Sequence, residues 1–282
     1  MTARARQKLA RFGATLYCNP VRFVSSASSA LLATAVFVAN LAHASPPDAS
    51  RAVAVSFGAP NAGRLELGAH LDASATIRIV PSFANEDYRW GLPALVSMIV
   101  RAAGRVEQRF SGSLLSVGDI SRKTGGELRE HLSHQSGRDA DLAFYALDIA
   151  GNPYLAQGLI EFDGDGRCKS LPSVRFDDLR NWTLLEALLS EPDVRVEQVF
   201  VSSEIRARLL REAEKRHVPL GIRMRASRVM REPRNTTEHA DHFHIRIACP
   251  RGQRGVCESL PRRGDARNRS ARTSNAAHSR RR

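Results

Sequence analysis

Apolar side chains in GLPALVSMIVRAAGRVEQRF (91–110) fall at the spacing that lays one stripe along a helix, and this is the first helix the pattern predicts. Before it, GRLELGAHLD (63–72) and ATIRIV (75–80) read as short strands or extended segments, preceded by a Pro/Ala-rich lead-in. After it, GSLLSVGDIS (112–121) reads as a strand with a polar exit, and TGGELREHLSHQSGRDA as a long glycine-containing loop. DLAFYALDI (141–149) is a strand, GNP a turn, and DGDG (163–166) a hairpin tip or loop. The acids of DGDG are not followed by the bidentate Glu of a calcium loop, so the turn is preferred. DLRNWTLLEALLS (178–190) is an amphipathic helix capped by Asp177 or Asp178, and VRVEQVFVS (194–202) an alternating strand. SEIRARLLREAEKRH (203–217) is a helix whose arginines form a solvated face, GIRMRASRVM is helical, and HFHIRIA (242–248) is the closing strand. Helices intermixed with separated strands predict an α+β fold, with a mostly antiparallel central sheet, flanking helices and a single domain.

With 282 residues, 43% hydrophobic and 25% charged, the chain is long enough for one well-buried core. Its two ends differ from that core. Residues 1–44 hold five basic residues and no acid, then the apolar run Ala30–Ala39, then LAHA ahead of Ser45-Pro46-Pro47. That order predicts a signal peptide cleaved after Ala44 and export to the periplasm or beyond. The apolar run is short for a permanent membrane span, an uncleaved anchor being the alternative, and Cys18 lies ahead of it, out of place for lipid attachment. From Pro250 to Arg282 there are ten arginines and two acids, which predicts a disordered basic tail over 258–282, beyond a domain of 45–257.

The formal charge of +13 is therefore terminal: five lie in the leader and eight in the tail, leaving 45–249 formally neutral. A nucleic-acid-binding domain would carry its charge on a folded face, so nucleic acid is not an expected partner. Three cysteines remain after the leader. Cys249 and Cys257 flank a Pro/Gly-rich turn at a spacing that suits a small disulfide loop in an exported protein, while Cys168 has no evident partner. No CxxC pair exists, which disfavours a cysteine zinc site.

Five of the nine histidines fall in two windows, HLSHQSGRDADLAFY and HADHFHIRIAC, each with aspartates nearby. Imidazole and carboxylate together suit zinc. The two-residue period of a strand puts His242 and His244 on one face. His134, on the loop, and Asp141, at the start of a strand, converge with them if the chain turns back at QSGRD. His134, Asp141 and His244 would then leave one zinc position open, with His242 beside the metal to accept a proton from the water there or to stabilise the developing oxyanion. Spacing alone leaves the plainer alternative open, in which these are satisfied strand and loop residues. Asp139 and Asp148 are expected to cap turns or pair with arginines such as Arg138.

HLSHQSGRDAD and HADHFHIRIACP resemble the two metal-site motifs of the penicillin-insensitive murein endopeptidases, within a wider zinc-peptidase group that includes lysostaphin, the D-Ala-D-Ala peptidases and the hedgehog domain. The shared core is His-x6-Asp followed much later by His-x-His. SFGAPNAGRLELGAHLD, LLSVGDISRKTGG and CPRGQRGVC extend the likeness over roughly residues 55–257. The resemblance implies Zn2+ held by His134, Asp141 and His244, with His242 as the catalytic histidine. It makes His131 and His239 further active-site histidines, for substrate positioning or a second metal. The chain departs from the family's better-known members in having fewer cysteines.

The resemblance further implies a zinc metallopeptidase that uses metal-activated water to cut the D-alanyl–meso-diaminopimelyl cross-link of peptidoglycan. Two rivals stand beside it: a D-Ala-D-Ala-type zinc carboxypeptidase, and a wall-binding protein that keeps zinc without activity.

Overall fold

The computed structural model describes residues 53–129, 131–233 and 239–259. The expected leader over 1–44 and all but the first two residues of the expected tail over 258–282 lie outside these. Among the described residues no helix is long and apolar enough to cross a membrane.

The fold is α+β. A six-stranded mixed sheet runs in the order Met230–Arg231, Val196–Phe200, His242–Ile247, Asp139–Ala143, Leu115–Val117, Ile77–Ile79. The inner pairs are antiparallel and the two outermost pairs parallel. Four helices accompany it: α1 (Pro93–Arg109), α2 (Asp178–Leu189), α3 (Ser203–Lys215) and α4 (Leu220–Val229). Pro93 occupies the first turn of α1, where its missing N–H costs no hydrogen bond. Asp177 caps α2 by accepting from the Arg180 N–H, and Ser202 caps α3 by accepting from the Ile205 N–H.

The two central strands divide their residues by face. Phe243, Ile245, Ala140 and Leu142 are buried in an apolar cluster with Leu95 and Met98 of α1 and Trp182 and Leu185 of α2. His242, His244, Arg246, Asp139 and Asp141 alternate with them and occupy the opposite face. The expected amphipathicity of α2 is not what the structure shows, because Asn181 and Thr183 are buried with its leucines. Asn181 is satisfied there by the carbonyl of Tyr145 and donates a second bond to Asp177.

Several boundaries differ from the sequence pattern for identifiable reasons. The lead-in before Gly63 is a strand, Val55–Ala59, paired in a hairpin with Ala62–Glu66. The 63–72 segment breaks at Leu67, whose φ is 52°. The strand expected from Asp141 begins at Asp139, since both aspartates find polar partners on the sheet face. Asp148 does cap a turn, accepting from the N–H groups of Ala150 and Asn152. The DGDG segment is a turn in which Asp163 accepts from the N–H groups of Asp165 and Arg167. The arginines of α3 are only partly a solvated face, because Arg206 donates to the Met230 and Ser227 carbonyls and Arg208 to Asp178.

Candidate metal centre

Strand register sets the site. In the antiparallel pairing His244 lies opposite Asp141, Arg246 opposite Asp139 and His242 opposite Ala143. Residues directly opposite share a face, so His244 and Asp141 project together. His134 arrives from the glycine-containing loop, with its backbone in the left-handed region at φ 67°. That conformation is uncommon for a residue with a side chain and persists where the surroundings hold it. Here they do: the Gly126 N–H bonds the Gly63 and Gln135 carbonyls, the Gln135 N–H bonds the Pro60 carbonyl, and the Leu92 N–H bonds the Gly137 carbonyl. Gly137 itself has φ 68°, and a Cβ there would meet the Leu65 side chain at 2.8 Å.

Three imidazole nitrogens converge on one carboxylate oxygen. Asp141 Oδ1 lies 3.3 Å from His134 Nε2, 3.4 Å from His242 Nε2 and 3.5 Å from His244 Nδ1. The far nitrogen of each ring has its own acceptor. His134 Nδ1 donates to the Ile120 carbonyl at 2.8 Å, His244 Nε2 to Asp139 Oδ1 at 2.8 Å, and His242 Nδ1 to Asp241 Oδ1 at 2.6 Å. With those tautomers, assigned from the acceptors they face, each inner nitrogen presents a lone pair to an oxygen that also only accepts. His134 Nε2 and Asp141 Oδ1 are buried and have no hydrogen-bond partner among the described residues. Such an arrangement needs a positive charge between its acceptors, whether protons or a metal ion.

The donor set and its spacing fit zinc. Tetrahedral N and O ligands at ~2.0–2.1 Å from the metal stand about 3.3–3.4 Å apart, close to the separations seen around Asp141. The outer hydrogen bonds are those that orient imidazole ligands and fix their tautomers. His134, Asp141 and His244 are thus able to hold a metal. His242 lies as near Asp141 as either of the two ligand candidates. What distinguishes it is access: the His134 side chain is 0% exposed, that of His244 9% and that of His242 13%.

The charges follow from the geometry. Burial alone would raise the Asp141 carboxyl, but His134 and His242 hold it well below the usual carboxylate range. Burial pushes the His244 imidazole down to about 4, helped by neighbouring His134, which keeps the ring neutral. Burial also opposes charge on His242, yet the adjacent Asp141 and Asp241 carboxylates outweigh it and push its pKa up to about 10. Neutralising Asp141 by coordination would remove the main cause of that rise.

The other two expected histidines are also here. His131 Nε2 lies 2.9 Å from Asp119 Oδ2, and its Nδ1 lies 3.8 Å from Asp141 Oδ2. The His239 ring lies 4.7 Å from that of His242 and 5.6 Å from that of His244, centroid to centroid. Two ligand-atom clusters result, His131/His134/Asp141 and His239/His242/His244, each with all its ligating atoms within 4.8 Å. Asp139 pairs with an arginine, as expected, but with the distant Arg246 and not with the adjacent Arg138. It is fully buried, accepts from His244 and from Arg246 Nε at 2.6 Å, and caps no turn. Arg138 instead donates to the Glu258 and Ile247 carbonyls. Asp119, Asp241 and Arg246 were not singled out by the sequence pattern. The period-2 match of Asp139-x-Asp141 with His244-x-Arg246 was the available signal for two of these partnerships. Cys249 and Cys257 form the disulfide that their spacing suggests, and Cys168 is buried and free.

An antiparallel strand pair and a clamped loop that bring histidines and aspartates together define an α+β protein with a candidate His/Asp metal centre. Residues 58–272 match the penicillin-insensitive murein endopeptidase family, and the chain belongs to that family. Among its relatives, the penicillin-insensitive murein endopeptidase of Klebsiella pneumoniae is 27% identical over 169 residues, 58% of this chain and 55% of the relative. That of Haemophilus influenzae is 27% identical over 181 residues, 62% of this chain and 57% of the relative. That of Salmonella paratyphi B is 29% identical over 176 residues, 61% and 58% respectively. The chain thus spans a little over half the length of the curated relatives it matches.

Proposed function

We propose that this protein is an exported zinc metallo-endopeptidase that hydrolyses the peptide cross-links of peptidoglycan, at the D-alanyl–meso-diaminopimelyl amide bond. The observation that carries the reading is the convergence of three imidazole nitrogens on Asp141 Oδ1, two of those four atoms being buried without a hydrogen bond among the described residues. Family membership supports murein as the substrate.

His134, Asp141 and His244 would hold the zinc, and the ion would supply Lewis acidity to a water and to the scissile carbonyl. The chain's own groups do the rest. Asp139 fixes the His244 tautomer so that Nδ1 faces the site, and Arg246 holds Asp139 in place. Asp241 accepts from His242 Nδ1, which leaves Nε2 on the site side to take a proton from the attacking water and return it to the leaving amine. His131, anchored on Asp119, and His239, its ring tilted against that of His242, flank the reacting position and would orient the substrate. No serine or cysteine nucleophile is called for.

The test is digestion of purified cross-linked muropeptide dimers. Monomer release that stops with chelator and returns with zinc is the expected result. Loss of a terminal D-alanine with the cross-link intact would replace the endopeptidase by a carboxypeptidase. Zinc uptake with no cleavage of either bond would leave a wall-binding protein.

A further inference from the structure

At the edge of the six-stranded sheet, α3, α4 and the Met230–Arg231 strand enclose a groove of about 770 Å3. Five arginines line it, Arg195, Arg206, Arg225, Arg228 and Arg231, against a single acid, Glu197. None of the five is ion-paired among the described residues, whereas Arg89, Arg101, Arg105, Arg180 and Arg208 each sit on a nearby carboxylate. Arg206 is part of the wall, its guanidinium bonded to the Met230 and Ser227 carbonyls and the Ser227 hydroxyl. Of the remaining four, Arg231 spends only its Nε on the Arg228 carbonyl, and the side chains of Arg195, Arg225 and Arg228 make no ion pair among the described residues. Residues 45–249 carry no net charge, so a surplus of four positive charges around one groove is a local feature and not a share of a general basicity.

The groove is also placed to matter to the site. Arg231 is in register with Phe200, and in register they share a face of the sheet. The Phe200 ring packs 5.1 Å from that of His244, on the strand next in order. Two strand spacings, roughly 10 Å, therefore separate the edge of the groove from the strand that carries Asp141's partner histidines. A ligand lying in the groove and continuing across that face would reach the candidate metal centre. Guanidinium forks recognise carboxylates through paired N–H donors. A polymer bearing carboxylates at intervals fits both the spread of the arginines and the path toward the site.

We propose that this groove is an anion-binding exosite that grips the free carboxylates of the peptide–glycan polymer while a neighbouring cross-link occupies the His/Asp site. The identity of that polymer rests on the proposed function; the anion-binding groove rests on the arginines alone. The test uses the full-length chain with chelator present, so that binding is read without hydrolysis, and purified murein sacculi as the probe. Arg225→Glu/Arg228→Glu/Arg231→Glu should lower the affinity of co-sedimentation at low salt by about tenfold, because three contacts reverse sign. A triple variant with the same charge change elsewhere, Arg109→Glu/Arg211→Glu/Arg254→Glu, should sediment close to the unaltered chain. Sacculi whose carboxylates have been amidated should bind all three proteins equally weakly. Equal loss in both triple variants would overturn the groove in favour of overall charge. Unchanged binding to amidated sacculi would overturn the carboxylate assignment. Failure of the unaltered chain to cleave soluble dimers is a separate outcome that sinks the proposed activity while leaving the sedimentation comparison decisive for the groove.

Discussion

Around Asp141 the inner nitrogens of His134, His242 and His244 are nearly equidistant from one oxygen, so the roles proposed for them rest on access and on what stands behind each ring. His244 is braced by Asp139 and is a zinc ligand in the proposed function, so on that reading His244→Ala should lose both bound zinc and hydrolysis. A variant that keeps its full zinc content in elemental analysis would assign the ligand wrongly. His242 is the more accessible ring, and His242→Ala should retain the metal while turnover falls by ~100-fold or more, the scale of a positioned acid–base group. If turnover barely moves, the proton is handled elsewhere, with His131 and His239 the nearest candidates. Asp139→Asn keeps the shape but not the charge that orients His244, and zinc affinity by chelator competition should fall ~10–100-fold. Zinc affinity equal to that of the unaltered chain would reduce Asp139 to a packing residue. At this scale the sequence shows the candidate ligands better than their supports. Histidines clustered in two windows stand out by rarity. An aspartate such as Asp139 does not, because its partner is more than a hundred residues away and is known only once register pairs Asp139 with Arg246.

Helices and strands with a clear period were legible, and α1, α2, α3, α4 and the closing strand lie within a few residues of where the pattern puts them. The elements misread are those whose chemistry contradicts their structure. Val55–Ala59 is rich in small residues and carries Gly58 at φ 68°, so it lacks the signature of a strand and owes its pairing to its hairpin partner. Asp139–Ala143 starts with an acid whose burial is explained by its partners His244 and Arg246 on the neighbouring strand. Contacts between helices were not legible at all. Glu191, just beyond α2, is 1% exposed at its side chain and accepts from Arg101 of α1, with Arg105 of α1 2.9 Å away. Both arginines remain almost half exposed, so water screens the pair and Glu191→Gln should cost only about 1 kcal/mol. Urea unfolding should show a lower midpoint with an unchanged slope. A midpoint equal to that of the parent would mean that packing, and not this strap, sets the α1–α2 contact.

Charge, at the scale of the whole chain, was legible from simple counting, since a neutral body with basic ends is a property of composition. What counting could not show is that the disulfide loop and the first hairpin form one support for the site. Gly58 and Glu258 exchange backbone hydrogen bonds with the Cys249–Cys257 loop and the hairpin, the Gln253 side chain ties the Ser56 N–H to the Ala54 carbonyl, and Arg138 donates to the Glu258 carbonyl. The hairpin in turn holds the histidine loop, through the Leu65 N–H on the Thr124 carbonyl, the Gln135 N–H on the Pro60 carbonyl, and the Leu65 side chain against Gly137. A disulfide closing so short a loop contributes about 2–3 kcal/mol by limiting the unfolded chain. Cys249→Ser/Cys257→Ser should therefore lower global stability by about that amount. If the support runs as the contacts indicate, the variant should also show faster amide exchange in the hairpin and across residues 124–137, with the strand pair Asp139–Ala143 and His242–Ile247 unaffected. Zinc would then be lost to a competing chelator more readily through His134, the ligand candidate that depends on the loop, than through His244. Exchange in 124–137 unchanged while stability falls would show that the disulfide acts on the unfolded chain alone, and that His134 is held by its own loop.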